Sequence, residues 1–211
     1  MKTQNSENCA QLDALRSDIL KEIGNIGSGH VLTALASLTQ KDFRLDVPEV
    51  EFLDYGELPS KIGDIEELRV AVALEVFGDI RGIFIFMAES RLAAALLEAL
   101  GVGAPVADNH LAFDEMQSSA LLEVGNIISN SYLTAIHELT GLSVSTSVPA
   151  LAVDMLGAVL GLPILYFAAE GTRTLYLHSA FCIQGESYSG NIILFPEVAS
   201  MERLMEATAG L

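Results

Sequence analysis

The chain has 211 residues, and 51% of them are hydrophobic, which is enough to bury a large core and predicts a globular protein. Its 11 Lys and Arg residues stand against 28 Asp and Glu residues, giving a formal net charge of −17. Because such a surface repels phosphate backbones and anionic lipid headgroups, we expect no nucleic acid partner and no membrane insertion.

Cysteine usage and hydropathy suggest a compartment. Cys9 and Cys182 lie far apart, without C-x-x-C spacing, and the chain begins with neither a basic n-region nor an apolar h-region. The longest apolar run, residues 155–169, is too short to span a bilayer and is interrupted by glycine and proline. We therefore expect a reduced, cytoplasmic protein.

The first half of the chain opens with a helix. Apolar side chains recur at three- and four-residue spacing from Leu12 to Ile26, which predicts a long helix over about residues 10–40. We then predict a turn-rich segment over residues 54–63 and two strands around a tight turn, over residues 68–77 and 83–87. A second helix is predicted over residues 91–100.

The second half repeats this order. A long helix, two strands and a closing helix are predicted over residues 113–140, 174–182, 191–195 and 199–207, with residues 185–190 as the turn between the strands. Its hairpin glycines follow their counterparts by 107 and 108 positions, since 185 − 78 = 107 and 190 − 82 = 108. The extra residues must lie between Pro149 and the hairpin, where residues 151–161 are predicted to form an added short helix.

Hairpins beside long helices, rather than strict alternation of strands and helices, predict an α+β fold with antiparallel strands. The repeated order predicts a pseudo-twofold internal duplication. We expect residues 1–211 to form a single domain of two tandem halves, about 10–101 and 110–211, joined near residues 101–109.

One sparse polar pattern occurs in both halves, 101 positions apart. Its members are Asp18, Glu22, Asn25 and Pro48 in the first half and Ser119, Glu123, Asn126 and Pro149 in the second. The first three members of each copy are spaced i, i+4 and i+7, so they project from one helix face. A single E-x-x-N is ordinarily a solvated face, but its repetition favours two copies of one functional site.

A glycine precedes the asparagine in each copy. Gly24 and Gly125 are poor helix formers, at about 1 kcal/mol relative to alanine. Their repetition predicts that another surface comes close to the helix backbone at this point.

This pattern resembles the signature of the CheC, CheX and FliY phosphatases of bacterial and archaeal chemotaxis: Asp or Ser, three residues, Glu, two residues, Asn, then twenty-two residues to Pro. Both copies satisfy it. The resemblance covers most of the chain and favours the CheC branch, which carries two motifs in about this length. It implies a pseudo-twofold module of long motif helices packed on antiparallel β hairpins.

The resemblance implies a protein aspartyl-phosphate phosphatase that acts on a phosphorylated CheY-like response regulator in two-component signalling. Glu22 and Asn25, and again Glu123 and Asn126, are then the catalytic residues. In the family, the asparagine orients the attacking water and the glutamate contacts the regulator's lysine, without a covalent intermediate on the phosphatase. No cofactor of its own is implied, since the Mg²⁺ belongs to the regulator.

The remaining motif residues have smaller implied roles. Asp18 and Ser119 support the motif, while Pro48 and Pro149 shape the chain after the helix. Because both sites lie in one chain, we expect a monomer. Four histidines lack metal-ligand spacing, so we expect no metal site.

A binding module is the alternative. The chain would then capture phosphorylated CheY, or the receptor deamidase CheD, without turnover. Asp154 is the sole charge between Val148 and Ala169, which makes it either a helix cap or exposed charge beside the core, or a contact to CheD. The resemblance implies CheD as a partner in either case.

Overall fold

A computed structural model describes residues 2–39, 41, 43–46, 49–103, 112–169, 171 and 173–209, with side chains described from residue 18 to residue 208. Within these ranges the helices are α1 (Lys2–Thr39), α2 (Leu58–Ile62), α3 (Ser90–Ala99), α4 (Glu115–Thr140), α5 (Leu156–Phe167) and α6 (Val198–Ala209). The strands are β1 (Phe43–Leu45), β2 (Glu49–Asp54), β3 (Leu68–Gly78), β4 (Gly82–Glu89), β5 (Val144–Thr146), β6 (Ala150–Met155), β7 (Arg173–Ile183) and β8 (Glu186–Pro196).

The element order repeats, as the sequence predicts. Each half consists of a long helix, two short strands, a helix, a hairpin and a closing helix. Strands β5 and β6 begin 101 residues after β1 and β2, since 144 − 43 = 101 and 150 − 49 = 101. This is the offset of the motif residues, so helix and following strands repeat as one unit.

The halves exchange strands within one antiparallel sheet. Its order is β1-β7-β8-β4-β3-β5, with β2 also paired to β7 and β6 also paired to β3. The short strands of the first half, β1 and β2, therefore pair with the hairpin of the second half. The short strands of the second half, β5 and β6, pair with the hairpin of the first. At the centre, β4 pairs with β8 and Ile85 lies opposite Ile193, and 193 − 85 = 108, the offset of Gly190 from Gly82. The pseudo-twofold α+β fold is confirmed.

Helices cover both faces of the sheet. Phe84 and Phe86 of β4 point to the face covered by α1, α3, α4 and α6. Ile85 and Met87 point to the opposite face, which α2 and α5 cover. Because successive side chains of a strand alternate between faces, the continuous apolar sequence of β4 serves two cores at once.

Local signals fix the ends of α4. Asp114 Oδ1 accepts a hydrogen bond from Gln117 N at 2.8 Å, and Gln117 Oε1 accepts one from Asp114 N at 3.2 Å. This reciprocal pair is a capping box. At the other end Gly141 adopts φ 72°, a conformation that glycine takes at little steric cost. The predicted end of this helix at residue 140 is confirmed.

The added helix predicted over residues 151–161 is wrong in its first part. Residues 150–155 form β6, with Leu151 paired to Val72 of β3, and the helix begins only at Leu156. A short apolar run does not distinguish strand from helix by periodicity alone. The extra length of the second half instead lies in α5, which has 12 residues where α2 has 5.

Strand β8 is longer than predicted. It begins at Glu186, because Gln184 and Gly185 make a two-residue turn with φ 54° and 89°, the arrangement that tight hairpins favour. Residues 186–190 are therefore strand, not turn. The sequence analysis also missed α2, β1, β2 and β5. Among the described residues, the helices are all too short or too polar to cross a membrane.

Replacing Gly125 by alanine tests the close packing of α4 on the sheet. A Cβ atom at Gly125 would overlap the side chain of Val72 in β3. We expect Gly125→Ala to lower the free energy of unfolding by about 1 to 3 kcal/mol, the usual range for overpacking. Urea denaturation of the variant and the parent protein measures the difference.

Gly29→Ala is the matched control. A Cβ at Gly29 has no neighbour within 4 Å, so the same substitution in α1 should raise the free energy of unfolding by up to about 1 kcal/mol through helix propensity. Equal effects of the two substitutions would contradict the packing explanation.

Candidate functional site

Helices α1 and α4 pack closely because one residue of α1 is glycine. A Cβ at Gly27 would overlap the ring of Tyr132 in α4. The Tyr132 hydroxyl lies 3.0 Å from Ser28 Oγ and 3.5 Å from Ser179 Oγ of β7. Burial raises the pKa of Tyr132 above its ordinary value, so the hydroxyl remains neutral. This buried contact joins both motif helices and the sheet.

The first motif lies on the exposed face of α1. Glu22 and Asn25 are both exposed, whereas Ile23 between them is fully buried. Asn25 Nδ2 donates a long hydrogen bond, 3.5 Å, to Glu22 Oε2. Asp18 lies one turn earlier, where its carboxylate is 3.5 Å from Lys21 Nζ. The first copy therefore presents a carboxylate and a carboxamide together to solvent.

The second motif lies on α4 and has different surroundings. Ser119 and Glu123 are exposed, and Asn126 is half-buried. Asn130 Nδ2 donates to both Asn126 Oδ1 and the Asn126 backbone carbonyl, each at 2.9 Å. Thr146 Oγ1 of β5 donates a long bond, 3.5 Å, to Asn130 Oδ1. Two further polar side chains thus connect the second motif's asparagine to the sheet edge.

A repeated serine lies behind each motif. Ser28 Oγ donates to the Gly24 carbonyl at 2.6 Å, and Ser129 Oγ donates to the Gly125 carbonyl at 2.7 Å. Both serines are buried, so their hydroxyls are satisfied within their own helix. The surface that approaches Gly125 is the protein's own strand β3. The sequence analysis missed these serines, although 129 − 28 = 101 is the motif offset.

Two of the three remaining predicted residues are described by the structure. Pro149 is in the link between β5 and β6, and Pro48 lies outside the described residues. Asp154 is exposed at the end of β6, and its Oδ1 accepts from Met155 N at 2.8 Å. The sequence analysis also missed Asn130 and Tyr132. For Asn130 a signal existed, because it follows Asn126 by one helical turn.

The chemistry available is that of a carboxylate and an amide on a rigid helix pair. A carboxylate accepts hydrogen bonds and attracts a cation, while an amide both donates and accepts, so it can hold a water molecule in a fixed direction. Among the residues that the structure describes, no three His, Cys, Asp or Glu side chains gather as metal ligands would. Both motifs are suited to meet a partner that brings the reacting group.

Solved structures of FliY and CheX share this fold. FliY from Thermotoga maritima aligns with a TM-score of 0.69 at 18% identity, over 92% of this chain and 96% of that chain. The CheX of a CheX–CheY–BeF3–Mg²⁺ complex from Borrelia burgdorferi aligns with a TM-score of 0.51 at 16% identity, over 80% and 94%.

Sequence comparison is more specific. Residues 15–51 and 116–153, which include both copies of the motif, match the CheC-like family. The CheY-P phosphatase CheC of Bacillus subtilis (strain 168) is 33% identical over 193 residues, which are 90% of this chain and 92% of that protein. The chain belongs to the CheC-like family.

Replacing Tyr132 by phenylalanine tests the buried contact between the motif helices. The ring would still fill the space beside Gly27, but Ser28 and Ser179 would each lose their contact with the Tyr132 hydroxyl, while Ser28 would keep its bond to the Gly24 carbonyl. We expect Tyr132→Phe to lower the free energy of unfolding by about 1 to 2 kcal/mol. Thermal and urea denaturation measure this loss. Tyr166→Phe is the control, because this side chain is 74% exposed, and it should change the free energy of unfolding by less than about 0.5 kcal/mol. Equal losses in the two variants would show that the buried hydroxyl contact does not stabilise the fold.

Proposed function

We propose that this protein hydrolyses the aspartyl phosphate of a CheY-like response regulator and so ends a chemotaxis signal. The observation that carries the proposal is the repeated pair of Glu and Asn side chains, Glu22 with Asn25 and Glu123 with Asn126, at the same spacing on two packed helices. The family relative in Bacillus subtilis, a CheY-P phosphatase, supports it.

In the proposed reaction, Asn25 or Asn126 holds the water that attacks phosphorus. An amide can accept a hydrogen bond from the water and donate to a phosphoryl oxygen. Phosphoryl transfer depends mainly on positioning and on electrostatic stabilisation, so a fixed amide at the attack position is a sufficient contribution. The water displaces the aspartate directly, and the phosphatase forms no covalent intermediate.

Glu22 and Glu123 are proposed to fix the docked orientation. A glutamate on an exposed helix face can pair with the lysine of the regulator's active site, in a charge-assisted contact. Asp18 and Ser119 would support the same contact from one turn earlier. The Mg²⁺ of the reaction would belong to the regulator, and a CheX–CheY complex of this fold family also contains Mg²⁺. The proposal implies a cytoplasmic protein that needs no second copy.

Removing both asparagines is the direct test. The decay of ³²P on a cognate CheY with Mg²⁺ should accelerate over many turnovers when the protein is added at a substoichiometric amount. We expect the Asn25→Ala/Asn126→Ala variant to lose at least about a hundredfold in this activity, the loss seen when a positioned transition-state hydrogen bond is removed. Binding to the phosphorylated regulator should change little.

The matched control removes another exposed side chain from the same two helices. Thr33 and Thr134 are each eight residues beyond the motif asparagine and are both exposed. The Thr33→Ala/Thr134→Ala variant should retain activity. Full activity in the asparagine variant would exclude the water-positioning role, whereas tight binding without turnover by the parent protein would favour the adaptor alternative.

A second partner, the receptor deamidase CheD, is proposed for helix α5. Leu162, Leu165 and Tyr166 of this helix are 77%, 75% and 74% exposed, and together they form an apolar surface beside Ile83. Exposed apolar patches of this kind mark protein interfaces. Asp154 is exposed just before the start of α5 and is proposed as a separate charged contact to the same partner. CheD binding would then tune the phosphatase or link it to receptor modification.

A charge placed in this surface should prevent CheD binding. We expect Leu165→Glu to weaken binding of purified CheD by more than about tenfold, because the carboxylate would be desolvated in the interface, and Asp154→Asn to weaken it less. Isothermal titration calorimetry measures both. Val148→Glu is the matched control, since Val148 is 87% exposed in the link before β6. Unchanged binding by Leu165→Glu would exclude α5 as the docking surface.

A further inference from the structure

We propose that Asn130 is a positioning residue of the second motif. It fixes the amide orientation of Asn126, so that the two motif copies are unequal and the second carries the larger share of turnover. This inference rests on the proposed phosphatase function and deepens it. Asn130 belongs to neither copy of the Glu and Asn pattern, yet it makes the shortest side-chain contact to a motif asparagine, at 2.9 Å.

The hydrogen-bond geometry fixes which atoms meet. Asn130 Nδ2 donates to the backbone carbonyl of Asn126 at 2.9 Å, and a carbonyl only accepts, so this end of the Asn130 amide must be the NH2 group. The side-chain atom of Asn126 that the same nitrogen approaches at 2.9 Å must then be oxygen. An amide orientation that is otherwise ambiguous is decided by this pair of acceptors.

The consequence lies at Asn126. With one lone pair of Oδ1 engaged by Asn130, the NH2 group and the second lone pair remain for a water molecule or a phosphoryl oxygen. Thr146 of β5, at 3.5 Å from Asn130 Oδ1, connects this arrangement to the sheet edge. The amide is therefore oriented before the regulator docks, which reduces the ordering needed to reach the reactive geometry.

The first motif lacks this support. Positions 29 and 45 correspond to 130 and 146, since 130 − 101 = 29 and 146 − 101 = 45, and they hold Gly29 and Leu45. Neither offers a polar side chain. Asn25 instead donates to Glu22 Oε2 at 3.5 Å, and Glu22 is the group proposed to pair with the regulator's lysine. The first amide must therefore reorganise on docking.

Single-site backgrounds isolate each motif. In Asn25→Ala, only the second motif remains complete, and adding Asn130→Ala should lower kcat for phosphorylated CheY about three- to tenfold, the range that one neutral hydrogen bond supports. KM should change less than about twofold. Asn130→Asp keeps the shape but removes the donor, so it should lower kcat at least as far. Thr134→Ala, one turn further along α4, is the control and should leave kcat unchanged.

The reverse substitution tests the same idea at the first motif. In Asn126→Ala, only the first motif remains complete, and adding Gly29→Asn supplies the missing amide one turn after Asn25. A Cβ atom at Gly29 would have no neighbour within 4 Å, so the position is open to substitution. We expect kcat to rise about twofold, less than the loss at the second motif because Leu45 cannot hold the new amide as Thr146 holds Asn130.

The outcomes separate the two proposals. In one outcome, Asn130→Ala and Asn130→Asp, each added to Asn25→Ala, leave kcat unchanged or change KM alone, while Asn25→Ala/Asn126→Ala is inactive. Asn130 is then no positioning residue, and the phosphatase proposal stands. If Asn25→Ala/Asn126→Ala remains fully active, the phosphatase mechanism and this inference fail together. Kinetic constants are compared only for variants whose thermal unfolding matches that of the parent protein. If Asn130→Ala does not fold, Asn130→Asp and Gly29→Asn still test the proposal.

Discussion

The exchange of strands between the two halves is the constraint on which the rest of the structure depends. Strand β3 receives β5 and β6 from the second half, and β7 receives β1 and β2 from the first. Each hairpin thus completes its hydrogen bonding with strands that follow the other half's motif helix. An isolated half would leave both long edges of its hairpin without these partners, which costs stability and invites aggregation. The halves are consequently tied into one sheet, with Ile85 and Ile193 facing at its centre.

This shared sheet also determines where the motifs lie. Helices α1 and α4 cover the same face, and the close fit of Gly27 against Tyr132 brings them into direct contact. Burying Ile23 and Val124 in the sheet-facing core leaves Glu22 and Glu123 exposed on the helices. The two helices that carry the carboxylate and amide groups therefore pack both on each other and on the sheet.

Much of this could be predicted from the sequence, because strong periodic signals and a repeated offset were available. The long helices, the hairpins and the α+β class follow from spacing and glycine position, as at Gly141. The short strands did not, since β1 and β5 have three residues each and depend on pairing with distant hairpins rather than on local pattern. Residues 151–155 form a strand only because β3 lies beside them.

The candidate site divides in the same way. Matching positions at an offset of 101 identifies the residues that the two motifs share, including the serines behind Gly24 and Gly125. It does not identify the residues in which the surroundings of the two motifs differ. Those differences lie at positions that do not match: Val31 against Tyr132, Gly29 against Asn130 and Leu45 against Thr146. At each of these positions the first half has glycine or an apolar side chain, and the second half has a side chain that forms hydrogen bonds. A symmetric backbone can therefore carry two motifs of equal sequence and unequal support, and the asymmetry becomes visible only when the neighbours of Asn25 and Asn126 are compared in three dimensions.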